Sequence, residues 1–494
     1  MKKQNRRRFL RNSLFTGASC ALFPMRAAQS EAERKSAAPA LSRAAGANED
    51  IRYAVVGFNG RGKDHLEGMR KVKGVRLVAL CDADRNVLEQ QMHKSRDLDE
   101  RVEGYTDIRK LLENKDIDAV TFATPNHWHS LGSIWAVQAG KDVYVEKPVS
   151  HNVWEGRQLV LAARAHERIV QAGTQCRSSS GIREGIAWLR EGHLGKILRA
   201  RGLCYKRRPS IGKVNGAQPI PPSVDYDLWC GPAPKGPLMR KRLHYDWHWV
   251  WPTGNGDVGN QGIHQMDLAR WVLGEAEVSP RILSVGGRLG YVDDGTTPNT
   301  QIVFHDYPAA PLIFEVRGLP ASANSEQMDR YHGASIGVVA ECEGGFMVIP
   351  NYTSARIFDK DEKEIKVFEG GSSHFANFID AVRSRKYTDL NGDILEGHIS
   401  SALCHTGNIS HRLGRTHKPE EISDALKDSK DLTEALGRME QHLAANNVDL
   451  RKTPATLGAV LKMDPKTERF IGAHRANELL TRDYRRPFVV PTKV

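Results

Sequence analysis

From Ile51 onward, short apolar runs alternate with stretches whose apolar residues recur every three to four positions. Ile51-Arg-Tyr-Ala-Val-Val56 ends in the glycine turn Gly57-Phe-Asn59-Gly60-Arg61-Gly62, and His65, Leu66, Met69 and Val72 follow at helical spacing. Val75-Arg-Leu-Val-Ala-Leu-Cys81, Asp118-Ala-Val-Thr-Phe-Ala-Thr124 and Lys141-Asp-Val-Tyr-Val145 repeat the pattern of a buried strand followed by a helical stretch. Continuous apolar strands separated by helical periods predict parallel βαβ units. Ile182, Ile186, Leu189 and Leu194 then mark an amphipathic helix, and a loop rich in Pro and Gly runs over 209–237. Short apolar runs with turn signals over 281–367 predict an antiparallel or mixed sheet, and 374–415 reads as helix again. The tail over 457–491 mixes apolar and polar residues and is expected to pack back on the body as a strap.

The fold class that follows is α/β. An N-terminal Rossmann dinucleotide-binding domain is expected over 48–172, a C-terminal α/β domain with a large open mixed or antiparallel sheet over 173–415, and an extension over 416–494. The length of 494 residues suits more than one core. Composition agrees, with 40% hydrophobic and 26% charged residues, which is ordinary for a globular chain.

Charge changes the picture only at the N-terminus. Residues 1–47 hold ten Lys or Arg against two acidic residues, so +8 of the formal +12 lies there and +4 remains for everything after it. The basicity is an address rather than a nucleic-acid surface. Arg6-Arg-Arg-Phe-Leu-Arg11 followed by the modest apolar run Leu14–Met25 resembles a twin-arginine signal, which implies export of a folded protein to the periplasm. Cleavage is expected after Ala28 or Ala47. Cys20 lacks the usual Leu of a lipoprotein box, so no lipid anchor is expected, and no apolar run reaches the roughly 18 residues of a membrane-spanning helix. The seven cysteines are scattered without CxxC spacing, so neither a zinc site nor a disulfide framework is expected.

The candidate chemistry starts at the glycine turn. A helix opening on Gly57, Asn59, Gly60, Arg61 and Gly62 lets backbone N–H groups approach a pyrophosphate. Asn59 stands where the usual fingerprint has its middle glycine, a substitution suited to positive φ. Asp82 closes the second apolar run twenty residues beyond Gly62, where a carboxylate bonds ribose hydroxyls and repels a 2′-phosphate; NAD is favoured over NADP. The tips of the next two strands carry Thr124-Pro-Asn126-His-Trp-His129 and Glu146-Lys147-Pro148, and in an open α/β sheet such tips face the ligand.

Further on, Asn260, His264 and Asp267 are spaced four and three apart and would share one face of a helix. The aromatic stretch His244-Tyr-Asp246-Trp247-His248-Trp249-Val-Trp251 reads two ways: tryptophans as core, or their flat faces stacked on a pyranose while Asp246 and His248 bond its hydroxyls. Arg177 and Tyr205 are further substrate-contact candidates.

The order of glycine turn, acid after the second strand, Thr-Pro-Asn-x-x-His and Glu-Lys-Pro resembles the Gfo/Idh/MocA family, that of glucose–fructose oxidoreductase and inositol dehydrogenase. The resemblance covers most of the chain from Ile51. It implies that Lys147 lies beside the nicotinamide and contacts the reacting sugar hydroxyl, that the Lys147–Pro148 bond is cis, and that Thr124, Asn126 and His129 line the cofactor cleft. It also implies a homo-oligomer formed through the open sheet. The family pattern Asp-x-Gly-x-His-x-x-Asp is broken here by Asn260 in the first place, leaving His264 without that carboxylate.

Three functions are compatible with these residues. One is an exported enzyme that keeps its NAD, loaded before export because the periplasm offers no evident NAD pool. It would cleave glycosides by oxidation, elimination, water addition and reduction, with His264 or Lys147 as base and Asn260 beside them. Another is a sugar dehydrogenase, or a sugar–sugar oxidoreductase with a second acceptor. The last is a non-catalytic NAD-holding carbohydrate-binding protein.

Overall fold

The computed structural model describes residues 50–494; the twin-arginine motif, its cleavage sites and Cys20 lie outside the described residues. Two sheets organise the chain. The first contains β1 (Ile51–Val56), β2 (Val75–Cys81), β3 (Glu103–Tyr105), β4 (Ala119–Phe122), β5 (Asp142–Val145) and β6 (Val170–Ala172) in the order β3-β2-β1-β4-β5-β6. Every pair is parallel. This is the doubly wound order of a dinucleotide-binding fold, whose strand order reverses between β1 and β4. Helices α1 (Gly62–Arg70), α2 (Arg85–Asp97), α3 (Ile108–Glu113), α4 (Asn126–Gln138) and α5 (Val153–Ala165) make the crossovers. The unbroken apolar runs of β1, β4 and β5 are explained by helices on both faces, since a parallel sheet is buried twice.

The second domain is built on β7 (Ile197–Tyr205), β8 (Arg281–Gly287), β9 (Thr300–His305), β10 (Leu312–Arg317), β11 (Ile336–Cys342), β12 (Gly345–Ile349), β13 (Ser354–Asp359) and β14 (Glu364–Glu369), in the order β14-β13-β12-β11-β7-β10-β9-β8. The β7–β10 pair is parallel and its neighbours are antiparallel, so the sheet is mixed. Its helices are α6 (Ser180–Arg190), α7 (Tyr226–Cys230), α8 (Gly256–Gly259), α9 (Gly262–Leu273), α10 (His374–Ser384) and α11 (Ile394–Leu413). Ile263 and Met266 of α9 and Ile399 and Leu403 of α11 pack on Cys204, Phe314 and Val338 of the sheet in one continuous core.

Two segments distant in sequence complete these layers. Phe378 and Ile379 of α10 are fully buried with Tyr53, Val55, Leu66 and Tyr144, so a helix two hundred residues downstream closes the core of the first sheet. After α11 come α12 (Pro419–Leu426) and α13 (Lys430–Ala445), whose Ile422, Leu432, Leu436 and Met439 cover Leu283, Val285, Ile302 and Ile313. The outer face of the second sheet, expected open, is therefore sheathed over β8–β10 by the chain's own helices. At the C-terminal end, Phe488 and Val490 are buried against α4 of the first domain. Phe488 meets Trp128 edge-on at 5.5 Å between ring centroids.

Candidate active site

Strand ends, helix starts and one long loop converge on a cleft of about 360 Å³ between the two sheets' domains. Its floor is the glycine turn. Gly57 has φ +77°, and a Cβ there would lie 2.9 Å from the Cα of Thr124; a Cβ on Gly62 would lie 2.0 Å from the Gly57 carbonyl oxygen. Only glycine permits the turn to pass so close to the tip of β4. The left-handed residue is Gly57 and not Asn59, which lies outside that region and lines the cleft from an exposed position.

Asp82, at the end of β2, accepts from the Phe58 N–H at 3.1 Å and from the Asp84 N–H at 3.0 Å. Each carboxylate oxygen keeps further lone pairs for ribose hydroxyls. Burial pushes its pKa up to about 6, against the two backbone donors. The glycine cradle and this oriented carboxylate fit a dinucleotide; Gly57, Asn59, Gly60, Arg61 and Asp82 would hold its pyrophosphate and ribose.

Glu146 and Lys147 stand side by side at the tip of β5 and face different partners. Glu146 accepts from Arg61 Nε at 2.9 Å and lies 3.0 Å from His65 Nε2. Burial opposes its charge, yet Arg61, His65 and Lys147 hold it well below the usual carboxylate range. Arg61 is thus committed to Glu146 and Asp64, and its side chain is not free for phosphate. Lys147 Nζ donates across the cleft to the Asn260 carbonyl at 2.8 Å. Burial lowers its proton affinity against the opposing charges of Glu146 and Asp257, and Arg61 and Arg208 add to the lowering. The Lys147–Pro148 bond is cis.

The other residues of the β4 tip serve the walls. His129 lies 2.6 Å from the Pro148 carbonyl oxygen and 2.8 Å from that of Thr124, tying the ends of β4 and β5 together. Asn126 Nδ2 donates to Asn255 Oδ1 at 3.0 Å, a bond between the two domains. Thr124 lines the cleft, with its Oγ1 buried and unbonded.

The second domain contributes a lid-like loop. His244 Nε2 lies 3.0 Å from Asp84 Oδ2, while Asp84 Oδ1 caps α2 by accepting from Asn86 N. Tyr245 adopts φ +69°, strained for a tyrosine, and its hydroxyl accepts from Arg208 Nη1 at 2.8 Å. Trp247 and His248 stack at 3.6 Å between ring centroids and both line the cleft. His248 Nδ1 is bonded to the Tyr245 carbonyl, and burial lowers its basicity to about 3.

Several sequence expectations change here. Asn260 is not on the helix face of His264 and Asp267: α8 ends at Gly259, Asn260 caps it, and α9 begins at Gly262. A turn at Asn260–Gln261 separates the two helices, and α9 opens on Gly262, where a Cβ would lie 2.6 Å from the Phe314 ring. Asn260 acts on Lys147 through its backbone carbonyl. His264 is buried behind the cleft wall against the Tyr352 ring at 5.2 Å, with Nδ1 unbonded. Burial first, then the charge of Lys147, lowers its basicity to about 3.

Arg177, Tyr205 and Asp246 lie outside the cleft. Arg177 makes a bidentate pair with Asp267 at 2.7 and 2.8 Å and also meets Glu396. Tyr205 donates to Glu315 at 2.7 Å on the far face of the sheet. Asp246 is buried and accepts from Arg242 at 2.6 and 3.0 Å. Trp249 is buried under Arg208, and Trp251 faces a different cavity. Sequence reasoning did not single out His244, Tyr245, Asn255 or Asp257 for the site. Asp257, three residues before Asn260, is the buried carboxylate here, paired with Arg208 at 2.9 Å through both oxygens.

Residues 51–174 match the Gfo/Idh/MocA model described as an oxidoreductase family with an NAD-binding Rossmann fold, and residues 196–314 match that family's C-terminal alpha/beta domain. Both stretches, together just under half of the chain, are similar to the Gfo/Idh/MocA oxidoreductase family. The first domain is accordingly an NAD-binding Rossmann domain. The chain is 30% identical over 164 residues to 2,7-anhydro-N-acetylneuraminate hydratase of Mediterraneibacter gnavus, a match covering 33% of the chain and 42% of that protein. It is 26% identical over 213 residues to a glycosyl hydrolase family 109 protein of Shewanella pealeana, covering 40% and 45%. The chain therefore spans less than half the length of either relative. The WlbA dehydrogenase of Bordetella pertussis, crystallised with NADH and UDP-GlcNAcA, shares the fold with a TM-score of 0.55 at 17% identity, covering 73% of this chain and 96% of that one.

Proposed function

We propose that this protein oxidises a ring carbon of a sugar or glycoside by hydride transfer and that Lys147 is the proton acceptor. The observation that carries the reading is the placement of Lys147. It stands in the same cleft as the glycine turn and Asp82, its Nζ is fixed 2.8 Å from the Asn260 carbonyl, and burial favours its neutral form. A neutral amine takes the hydroxyl proton while the hydride, with its electron pair, leaves the same carbon, so an alcohol becomes a ketone with charge balanced. Bound NAD supplies the hydride acceptor. After transfer, the ammonium of Lys147 stabilises the carbonyl oxygen electrostatically. His264, held near 3 by burial, is a weak base and lies off the cleft, so it does not serve as the proton acceptor. Trp247, stacked on His248, offers a flat apolar face to a pyranose beside Lys147.

The names of the hydratase and the glycosyl hydrolase relatives support a redox-neutral outcome. A ketone acidifies the neighbouring C–H, so loss of that proton with departure of the substituent, addition of water and return of the hydride would cleave or hydrate the substrate and restore the cofactor. The twin-arginine motif supports export of the folded protein with NAD retained. In the test, purified protein is incubated with a panel of glycosides in deuterium oxide. Product carrying deuterium beside the oxidised carbon, with no accumulating NADH, is expected. Lys147→Ala should lower the rate by about 10²–10⁴-fold while the melting temperature stays near wild type. Full activity in that variant would refute the assignment of Lys147.

A further inference from the structure

The loop that enters from the second domain crosses the cofactor cleft and is bonded to both of its rims. On one rim, directly after Asp82, the Ala83 carbonyl accepts from the Asp225 N–H at 2.9 Å and the Arg85 N–H donates to the Ser223 carbonyl at 2.9 Å. On the opposite rim, in the first turn of α4, Trp128 Nε1 donates to the Leu228 carbonyl at 3.0 Å, and His127 Nε2 lies 3.0 Å from the Trp229 carbonyl. Ala83, Leu228 and Trp229 all line the cleft. Gly231, just past α7, has φ +49°, and a Cβ there would lie 2.3 Å from the Trp128 indole, so glycine lets the end of α7 seat directly on that ring.

What holds α7 down comes from the far end of the chain. Arg485 Nη1 donates to Asp227 Oδ1 at 2.8 Å, and its Nη2 donates to the carbonyls of Asp227 at 2.8 Å and Gly231 at 3.0 Å. One guanidinium thus ties both ends of α7 to the C-terminal segment, and hydrogen bonds from a charged donor are the stronger kind. The same guanidinium lies 4.8 Å over the ring of Phe488, which packs on Trp128 of the α4 rim. Arg485 itself does not line the cleft.

We propose that residues 223–231 form a gate over the adenosine end of the bound dinucleotide and that Arg485 is its latch, a positioning residue that sets how fast the cofactor enters and leaves. An adenosine whose ribose is held by Asp82 lies beside Ala83, Leu228 and Trp229, and the crossing must lift from one rim to free it. Because the latch touches α7 and not the dinucleotide, loosening it speeds entry and exit alike and leaves the dissociation constant near its wild-type value. The proposal rests on the cleft holding NAD, as the reaction above does, and not on the chemistry performed there.

NADH exchange on the full chain tests this. Protein stripped of nucleotide with charcoal is mixed with NADH in a stopped-flow fluorimeter for the association rate, and the NADH complex is chased with excess NAD for the release rate. In Arg485→Ala both rates are expected to rise about tenfold, the effect of losing one charge-assisted hydrogen bond, with the dissociation constant little changed. Asp227→Ala, at a half-exposed position, removes the ion pair from the other side and should show the same pattern with a smaller rise should Arg485→Ala fail to fold. Arg157→Ala breaks a pair with Glu468 away from the cleft and should exchange NADH at the wild-type rates. The latch is overturned if Arg485→Ala, or Asp227→Ala in its place, exchanges NADH at the wild-type rates. It is equally overturned if release alone quickens, so that affinity falls, or if Arg157→Ala quickens exchange as much. Faster entry and exit in Arg485→Ala, in a protein that oxidises no sugar, would remove the redox reading and leave the latch standing. Unchanged exchange in that variant, in a protein whose turnover is lost in Lys147→Ala, would remove the latch alone, and a wild type that binds no NADH would remove both.

Discussion

At the scale of single residues, the account depends on how two groups are charged. Burial favours the neutral amine of Lys147, the form that can accept a proton, and its one firm contact is a carbonyl rather than a carboxylate. The rate should therefore rise with pH as Lys147 loses its proton. Asn260→Asp adds a carboxylate to the cleft residue whose backbone carbonyl holds Nζ, and a negative charge in the same cleft favours the ammonium and should move that rise to higher pH; an unmoved pH–rate profile would contradict the role given to Lys147. Asp82 works in the opposite direction. Burial keeps its carboxyl up to about 6, so it is charged above that pH and neutral below it. NAD affinity, measured by calorimetry, should weaken as pH falls through about 6, and Asp82→Ala should bring the affinities for NAD and NADP closer together. NAD affinity flat across that range in the wild type would exclude Asp82 from the ribose site.

At the scale of elements, what was legible in the sequence followed locality. The glycine turn, Asp82 and the Glu146-Lys147 tip all belong to βα units whose geometry is set within about twenty residues, and the structure places them in one cleft. Arg177 and Tyr205 were not legible because their environments are made by residues elsewhere in the fold. Arg177 is turned away by Asp267 and Glu396, and Tyr205 by Glu315 and Arg438. An arginine or tyrosine motif in sequence carries no sign of such a partner. The shared helix face of Asn260, His264 and Asp267 was misread for another reason: their regular spacing concealed an interruption of the helix at Asn260–Gln261. The C-terminal segment offers a test at this scale. Phe488 is 1% exposed between Trp128 and the guanidinium groups of Arg109 and Arg485. Phe488→Ala should destabilise the protein by about 3–5 kcal/mol in denaturant titrations. A change under about 1 kcal/mol would show that this segment is not part of the first domain's core.

At the scale of the whole molecule, the two domains are joined by contacts that also shape the cleft: Lys147 to Asn260, Asn126 to Asn255, and His244 to Asp84. A dinucleotide seated between them would be enclosed by the Tyr245–His248 segment. Enclosure fits the proposal that the cofactor is kept through export and reset within each turnover. The outer sheet face, sheathed over β8–β10 by α12 and α13, is covered by this chain itself and not left open to a second copy there. The most direct test of the central claim is to purify the protein without added cofactor, denature it, and quantify the dinucleotide released. The account predicts close to one NAD per chain. A protein that releases none, and binds added NAD only weakly, would contradict a retained and recycled cofactor.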